Sequence, residues 1–177
     1  SGACTQYESN LLNEGILSQR YKFAKDRKNV EEILESASKS LRFDLSVARL
    51  FSFSGIHLLK RRQYAISDFV NSAFLENRIY IKGNPNTIRS YLHQESMAEW
   101  ILAALISADV NTNLQIGSQS PVTLHDLATY VSEITNAIVS FSQNPPLADT
   151  YLPNNLDTRA KLGVEEGKSW EIAVEEM

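Results

Sequence analysis

The chain has 177 residues, 43% of them hydrophobic and 21% charged, with a net charge of −4. That is room for one domain, or part of a larger one, with a sizeable core, and the acidic balance argues against a general nucleic-acid binder. A single cysteine, Cys4, excludes an internal disulfide framework and suits a reducing compartment.

Glycine (7) and proline (5) are too few for a collagenous or linker-like chain. No apolar run approaches the length of a transmembrane helix, and no basic n-region with an apolar h-region marks a signal peptide. The histidines His57, His93 and His125 lie too far apart for metal-ligand spacing. The start, Ser1-Gly2-Ala3-Cys4-Thr5, is small and turn-like. It suggests a fragment lacking an N-terminal part, or a residual expression tag.

In chain order, residues 21–40 read as a helix: Val30, Ile33, Leu34, Ala37 and Leu41 recur at helical spacing among Lys, Glu and Arg. Residues 43–53 read as a buried strand ended by Gly55, giving an αβ unit of a parallel sheet. Lys60-Arg61-Arg62 reads as a solvated loop. A helix over 65–76 holds Phe69, Ala73 and Phe74, followed by short strands over 78–82 and 88–92 around the turn Gly83-Asn84-Pro85-Asn86. Residues 94–108 read as a helix with Met97, Ile101, Leu105 and Ala108 on one stripe. Leu114-Gln115-Ile116 is a strand ended by Gly117. Thr123 then caps a helix with Asp126 at its third position, whose apolar face is Leu124, Leu127, Ala128, Val131, Ile134 and Ile138. Gln143-Asn144-Pro145-Pro146 is a loop, Asp157 caps a short helix closed by Gly163, and residues 168–176 form a last helix. There is no internal repeat and no glycine-rich phosphate loop. The two tryptophans, Trp100 and Trp170, read as helix packing.

The sharpest local signal for chemistry is Tyr21-Lys22-Phe23-Ala24-Lys25. Tyr and Lys four apart share one helix face. A cation near a phenol favours the phenolate, which makes Tyr21 a usable acid or base near neutral pH.

Around this pair stands an ordered series. A Ser-Gly-Ala turn precedes it, and Arg49-Leu50-Phe51-Ser52-Phe53-Ser54-Gly55 follows. Later come Gly83-Asn84-Pro85-Asn86-Thr87-Ile88-Arg89-Ser90-Tyr91-Leu92-His93, Asn113-Leu114-Gln115-Ile116-Gly117-Ser118, Tyr151-Leu152-Pro153-Asn154 and Asp157-Thr158-Arg159-Ala160-Lys161-Leu162-Gly163. The series resembles the C-terminal part of extended short-chain dehydrogenases/reductases, in particular the NAD-dependent epimerases/dehydratases that act on nucleotide sugars. It covers essentially the whole chain. The resemblance implies an α/β fold: residues 1–56 would be the last part of a Rossmann-type parallel sheet, and 57–177 mainly a smaller substrate-binding domain. The dinucleotide fingerprint belongs to the first βα turn of such a fold and does not occur here, so the N-terminal half would be absent and the fragment inactive by itself.

The resemblance also implies roles. Tyr21 would be the catalytic tyrosine, and Lys25 its partner, lowering the tyrosine pKa and holding the nicotinamide ribose. Ser1 would match the serine of the Ser-Ser-Gly-Ala-x-Tyr-Gly pattern, whose Tyr-Gly is Thr5-Gln6 here. Phe51 would pack near the nicotinamide. Ser52 stands where the family has a substrate-contacting Asn, and Ile56 where it has Pro. Arg89 would grip the nucleotide-sugar diphosphate, a task suited to a planar, always charged fork, whereas His93 reads as structural. The implied enzyme is cytoplasmic, an oxidoreductase or isomerase with NAD or NADP, possessing no metal and no nucleic-acid or membrane partner. It would be able to homodimerise through helices such as 21–40. Thr5-Gln6-Tyr7-Glu8 lacks the Asp-Glu pair frequent in dehydratases, which favours an epimerase or ketoreductase. Two other readings stay open: a non-catalytic α-rich interaction domain, and a degenerate relative that binds a nucleotide sugar without turning it over.

Overall fold

The computed structural model describes residues 16–59, 64–107, 109 and 112–177. Ser1, Cys4 and the Lys60-Arg61-Arg62 run lie outside the described residues, as do the side chains of 16–21 and Phe23.

Helix α1 (Ile16–Leu41) leads, through a left-handed Arg42, into strand β1 (Ser46–Leu50). Two contacts fix its direction. Ser38 Oγ donates to Phe43 O at 2.6 Å, and Glu31 receives the Arg49 fork at 3.1 and 2.5 Å. Helix and strand therefore run antiparallel, as an αβ unit requires.

β1 pairs in parallel with β6 (Thr112–Ile116), from Ser46 opposite Thr112 to Leu50 opposite Ile116. The buried strand expected over 43–53 is corrected here. Within β1 the side chains alternate between exposed and half-buried, and burial begins only at Phe51. The reason is coverage. Among the described residues β1 has one strand neighbour, and α1 meets it through an ion pair instead of an apolar face.

Three more pairs complete the strands. β2 (Phe53–Ser54) lies parallel to β5 (Leu92–His93), β3 (Arg78–Ile81) parallel to β8 (Ile138–Phe141), and β4 (Ile88–Arg89) antiparallel to β7 (Val122–Thr123). The single strand expected over 88–92 is thus two, because its halves hydrogen-bond to different partners. Alternation does not carry across the bend, and Tyr91, Leu92 and His93 are all buried.

The helices α2 (Ala65–Glu76), α3 (Gln94–Ser107), α4 (Leu124–Thr135), α5 (Leu156–Leu162) and α6 (Trp170–Glu175) cover these pairs. Ile66, Phe69, Val70 and Ala73 of α2 and Leu127, Ala128 and Val131 of α4 bury helical stripes against Ile79 and Ile81 of β3. Phe74 leaves that face and is 69% exposed. Thr123 Oγ1 accepts from Asp126 N at 3.0 Å, the expected cap. Ile134 and Ile138 do not join the α4 stripe. The helix ends at Thr135, a left-handed Asn136 redirects the chain, and Ile138 opens β8 with 61% exposure.

A second core gathers Phe53, Leu92, Trp100, Leu114, Ile116, Leu162 and Val164. It turns the expected face of α3: Met97 of the expected stripe packs against this core and Ala108 lies outside the described residues, but Ile101 and Leu105 look outward, Leu105 at 82% exposure, while Trp100 is fully buried with Nε1 donating to Glu165 O at 2.9 Å. An indole needs both apolar cover and one acceptor, and this core supplies both. On α5 the cap residue is Asn155, not Asp157, which sits in the first turn; Gly163, at φ 64°, closes the helix. Trp170 packs edge-on against Tyr130, 5.2 Å between ring centres.

Candidate functional site

Ligand sites of parallel α/β sheets lie beyond the carboxyl ends of the strands. Here β1 and β6 end side by side, with Phe51 N donating to Ile116 O at 2.9 Å. The next residue after β6 is Gly117. A Cβ there would meet Phe51 Cβ at 2.7 Å and Pro153 Cγ at 3.1 Å, so no larger residue fits. The Phe51 ring stacks on Tyr151, with centres 4.9 Å apart and planes at 28°.

A buried polar network holds the turn after Gly117. The Glu166 carboxylate accepts from Ser118 Oγ (2.5 Å), Gln119 N (2.9 Å) and Asn155 Nδ2 (2.9 Å), and Asn155 Nδ2 also reaches Gly117 O at 2.6 Å. Three donors on one carboxylate make a rigid rim.

Arg89 is tied to the same strand ends through one strap of chain. Ile88 N donates to Asp149 O at 2.9 Å and Tyr151 N to Ile88 O at 3.1 Å, fixing residues 149–151 alongside β4. Asp149 holds Arg89, with Nη2 at 2.8 Å from Oδ1, and Tyr151 holds Phe51. Two residues expected at the site, far apart in sequence, are thereby linked to one segment. Nothing in the sequence marks Asp149, whose partner is 60 residues away. Tyr151, by contrast, stands inside a run that the sequence singles out.

Tyr91, beside Arg89, is buried, and that burial pushes its phenol far above the usual range; the opposing pulls of Arg89 and of the Ile66 backbone are weaker. It remains a neutral hydroxyl. Ser52 is half-buried, and its carbonyl accepts from Leu92 N at 3.0 Å. Lys25 is exposed. Because α1 runs antiparallel to β1, residues before Glu31 continue past Arg49, toward the strand ends where Phe51 lies. The expected roles of the Ser1 and Tyr21 side chains lie outside the described residues.

His93 is fully buried. Glu95 N donates to its Nδ1 at 3.2 Å, so the proton sits on Nε2 and is donated to Glu176 Oε2 at 2.8 Å. Lys168 Nζ bridges Glu95 (3.1 Å) and Glu176 (2.8 Å). The carboxylate Glu176 is lowered first by Lys168 and then by His93, and Lys168 is raised by Glu176 and Glu95. His93, Glu95 and Glu176 lie close enough to share a metal ion. Their charge is already met by an ammonium, and the histidine tautomer is set for a hydrogen bond. This cluster is a clasp between α6 and the start of α3. Among the described residues no helix is long and apolar enough to cross a membrane.

The fold is a mixed α/β one with parallel strand pairs, the fold of NAD-dependent nucleotide-sugar epimerases and dehydratases. A UDP-glucose 4-epimerase of Thermotoga maritima, solved with UDP-glucose, is 18% identical over 99% of this chain and 60% of its own, with a TM-score of 0.78. A UDP-glucuronic acid 4-epimerase of Bacillus cereus, solved with UDP-glucuronic acid and NAD, is 17% identical over 99% of this chain and 57% of its own, with a TM-score of 0.78. A dTDP-glucose 4,6-dehydratase of Bacillus anthracis, solved with NAD, gives 16% identity, 96% and 53% coverage, and a TM-score of 0.74. The chain spans roughly half the length of these proteins. No protein-family model and no curated protein sequence matches it.

Proposed function

We propose that this chain supplies the substrate-side part of an NAD(P)-dependent enzyme acting on a nucleotide sugar, by transient oxidation of a sugar hydroxyl. The observation that carries the reading is the strap of residues 149–151, which joins Phe51, at the paired ends of β1 and β6, to Arg89. The residues fit the nicotinamide end of a dinucleotide: the Phe51 ring at the strand ends and an exposed Lys25 on the helix that runs toward them. A nicotinamide held there would supply reversible hydride acceptance from the sugar carbon.

Tyr21 takes the hydroxyl proton as that C–H bond breaks and gives a proton back on reduction. Lys25, one helical turn on, keeps the phenolate accessible. Ser1 donates a hydrogen bond to the reacting oxygen. Arg89 pairs with the diphosphate, and Ser52 faces the sugar. The Thr5-Gln6 replacement favours an epimerase or a reductase over a dehydratase. Residues 1–56 would complete a Rossmann sheet with the preceding half of the enzyme. Val30, Ile33 and Leu34 of α1, exposed at helical spacing, suit a homodimer contact through that helix.

In the full-length protein, Tyr21→Phe should lower turnover about a hundredfold to ten-thousandfold, the range of general acid–base catalysis, while leaving nucleotide-sugar binding within about twofold by titration calorimetry. Turnover unchanged in Tyr21→Phe would end this reading.

A further inference from the structure

A guanidinium offers two edges to acceptors. Arg49 gives its side edge, Nε and Nη2, to Glu31 at 3.1 and 2.5 Å. Arg89 does the opposite. Its end edge is taken: Nη1 donates to Ile88 O at 2.7 Å and Asp149 O at 3.4 Å, and Nη2 to Asp149 Oδ1 at 2.8 Å. Nε and the second Nη2 hydrogen have no partner among the described residues. The side chain is 18% exposed, so the guanidinium is not sealed from solvent. An open planar fork is what a phosphate engages in bidentate fashion.

The open fork belongs to a cation that already has a counter-ion. Asp149 cannot leave with its strap, because main-chain hydrogen bonds pin residues 149 and 151 to Ile88 at 2.9 and 3.1 Å. A phosphate on the side edge would share Nη2 with the Asp149 carboxylate, two anions on one nitrogen. Resting on the reading of Arg89 as the diphosphate arginine, we infer that Asp149 is a specificity-determining residue. It is a built-in counter-anion that stays on Arg89 and lowers the affinity of the site for phosphate charge. Such a carboxylate sets how strongly the site discriminates by ligand charge, and it favours release of the bound nucleotide. The uncharged parts of the ligand are left to other groups, among them the Phe51–Tyr151 stack on the same strap.

The test is titration of UDP, and of uridine as an uncharged control, into full-length wild type, Asp149→Asn, Asp149→Ser and Arg89→Ala. Asn keeps an acceptor beside Nη2 without the charge. It should tighten UDP binding about three- to thirtyfold, the scale of one close, partly screened like-charge repulsion, and leave uridine unchanged. Asp149→Ser, which removes the charge on a shorter side chain, must move UDP in the same direction. If Arg89→Ala weakens UDP but both Asp149 variants leave it equal or weaker, the counter-anion role is wrong while the diphosphate arginine stands. If Arg89→Ala leaves UDP affinity unchanged, both fall together.

Discussion

Gly117→Ala should destabilise the protein by prying apart the ends of β1 and β6. The new methyl would sit 2.7 Å from Phe51 Cβ, about 1 Å inside ordinary carbon–carbon contact. Phe51 Cβ is fixed to the backbone, so no side-chain rotation relieves the overlap. Pro153 Cγ, at 3.1 Å, blocks the neighbouring direction. Either the Phe51–Ile116 hydrogen bond at 2.9 Å lengthens or the strap carrying Tyr151 moves away. Overpacking of this kind costs about 1–3 kcal/mol. With a urea m-value of about 1–3 kcal/mol per molar, the midpoint should fall by about 1 M, with m unchanged. Urea unfolding of the full-length protein followed by far-UV circular dichroism reads this out. A midpoint within error of wild type would refute the reasoning, because it would mean that the strand ends are not packed as closely as described.

Trp100→Phe should cost about 1–3 kcal/mol, because it removes the Nε1 donor to Glu165 O and leaves a void in the second core; a thermal midpoint unchanged from wild type would count against that packing. The clasp should have a pH signature. Glu176 is held below the usual carboxylate range, so its contribution is present above its unfolded pKa and is lost as pH falls through the lower folded value. Lys168 is held above its usual range, so its share persists up to its unfolded pKa and is lost as pH rises through the higher folded one. The urea midpoint of Glu176→Gln should therefore lie below that of wild type at neutral pH, and the two curves should converge in acid. A gap that stays constant down to pH values below both carboxylate pKa values would refute this.

Local pattern was enough for α2 and α4. Their apolar residues repeat at helical spacing, and Thr123 with Asp126 marks where α4 begins. Those signals lie within a few residues of one another, so the sequence alone determined them. It also determined that Gly163, at φ 64°, closes α5, because backbone freedom is a property of the residue. The series of motifs pointed to the α/β fold and named Phe51 and Arg89 as site residues. It could not say which face of α3 turns inward, since the aliphatic stripe and Trp100 are equally helical and only the second core, with Glu165 O waiting, chooses between them. It could not divide residues 88–92 into β4 and β5, since that break comes from hydrogen bonds to β7 and β2. Nor could it pair Arg89 with Asp149, or hold the turn after Gly117 with Glu166, because each contact spans tens of residues. Hydrogen bonds and charge pairs act over a few ångströms of space, and only the folded chain decides which distant residues come within that range.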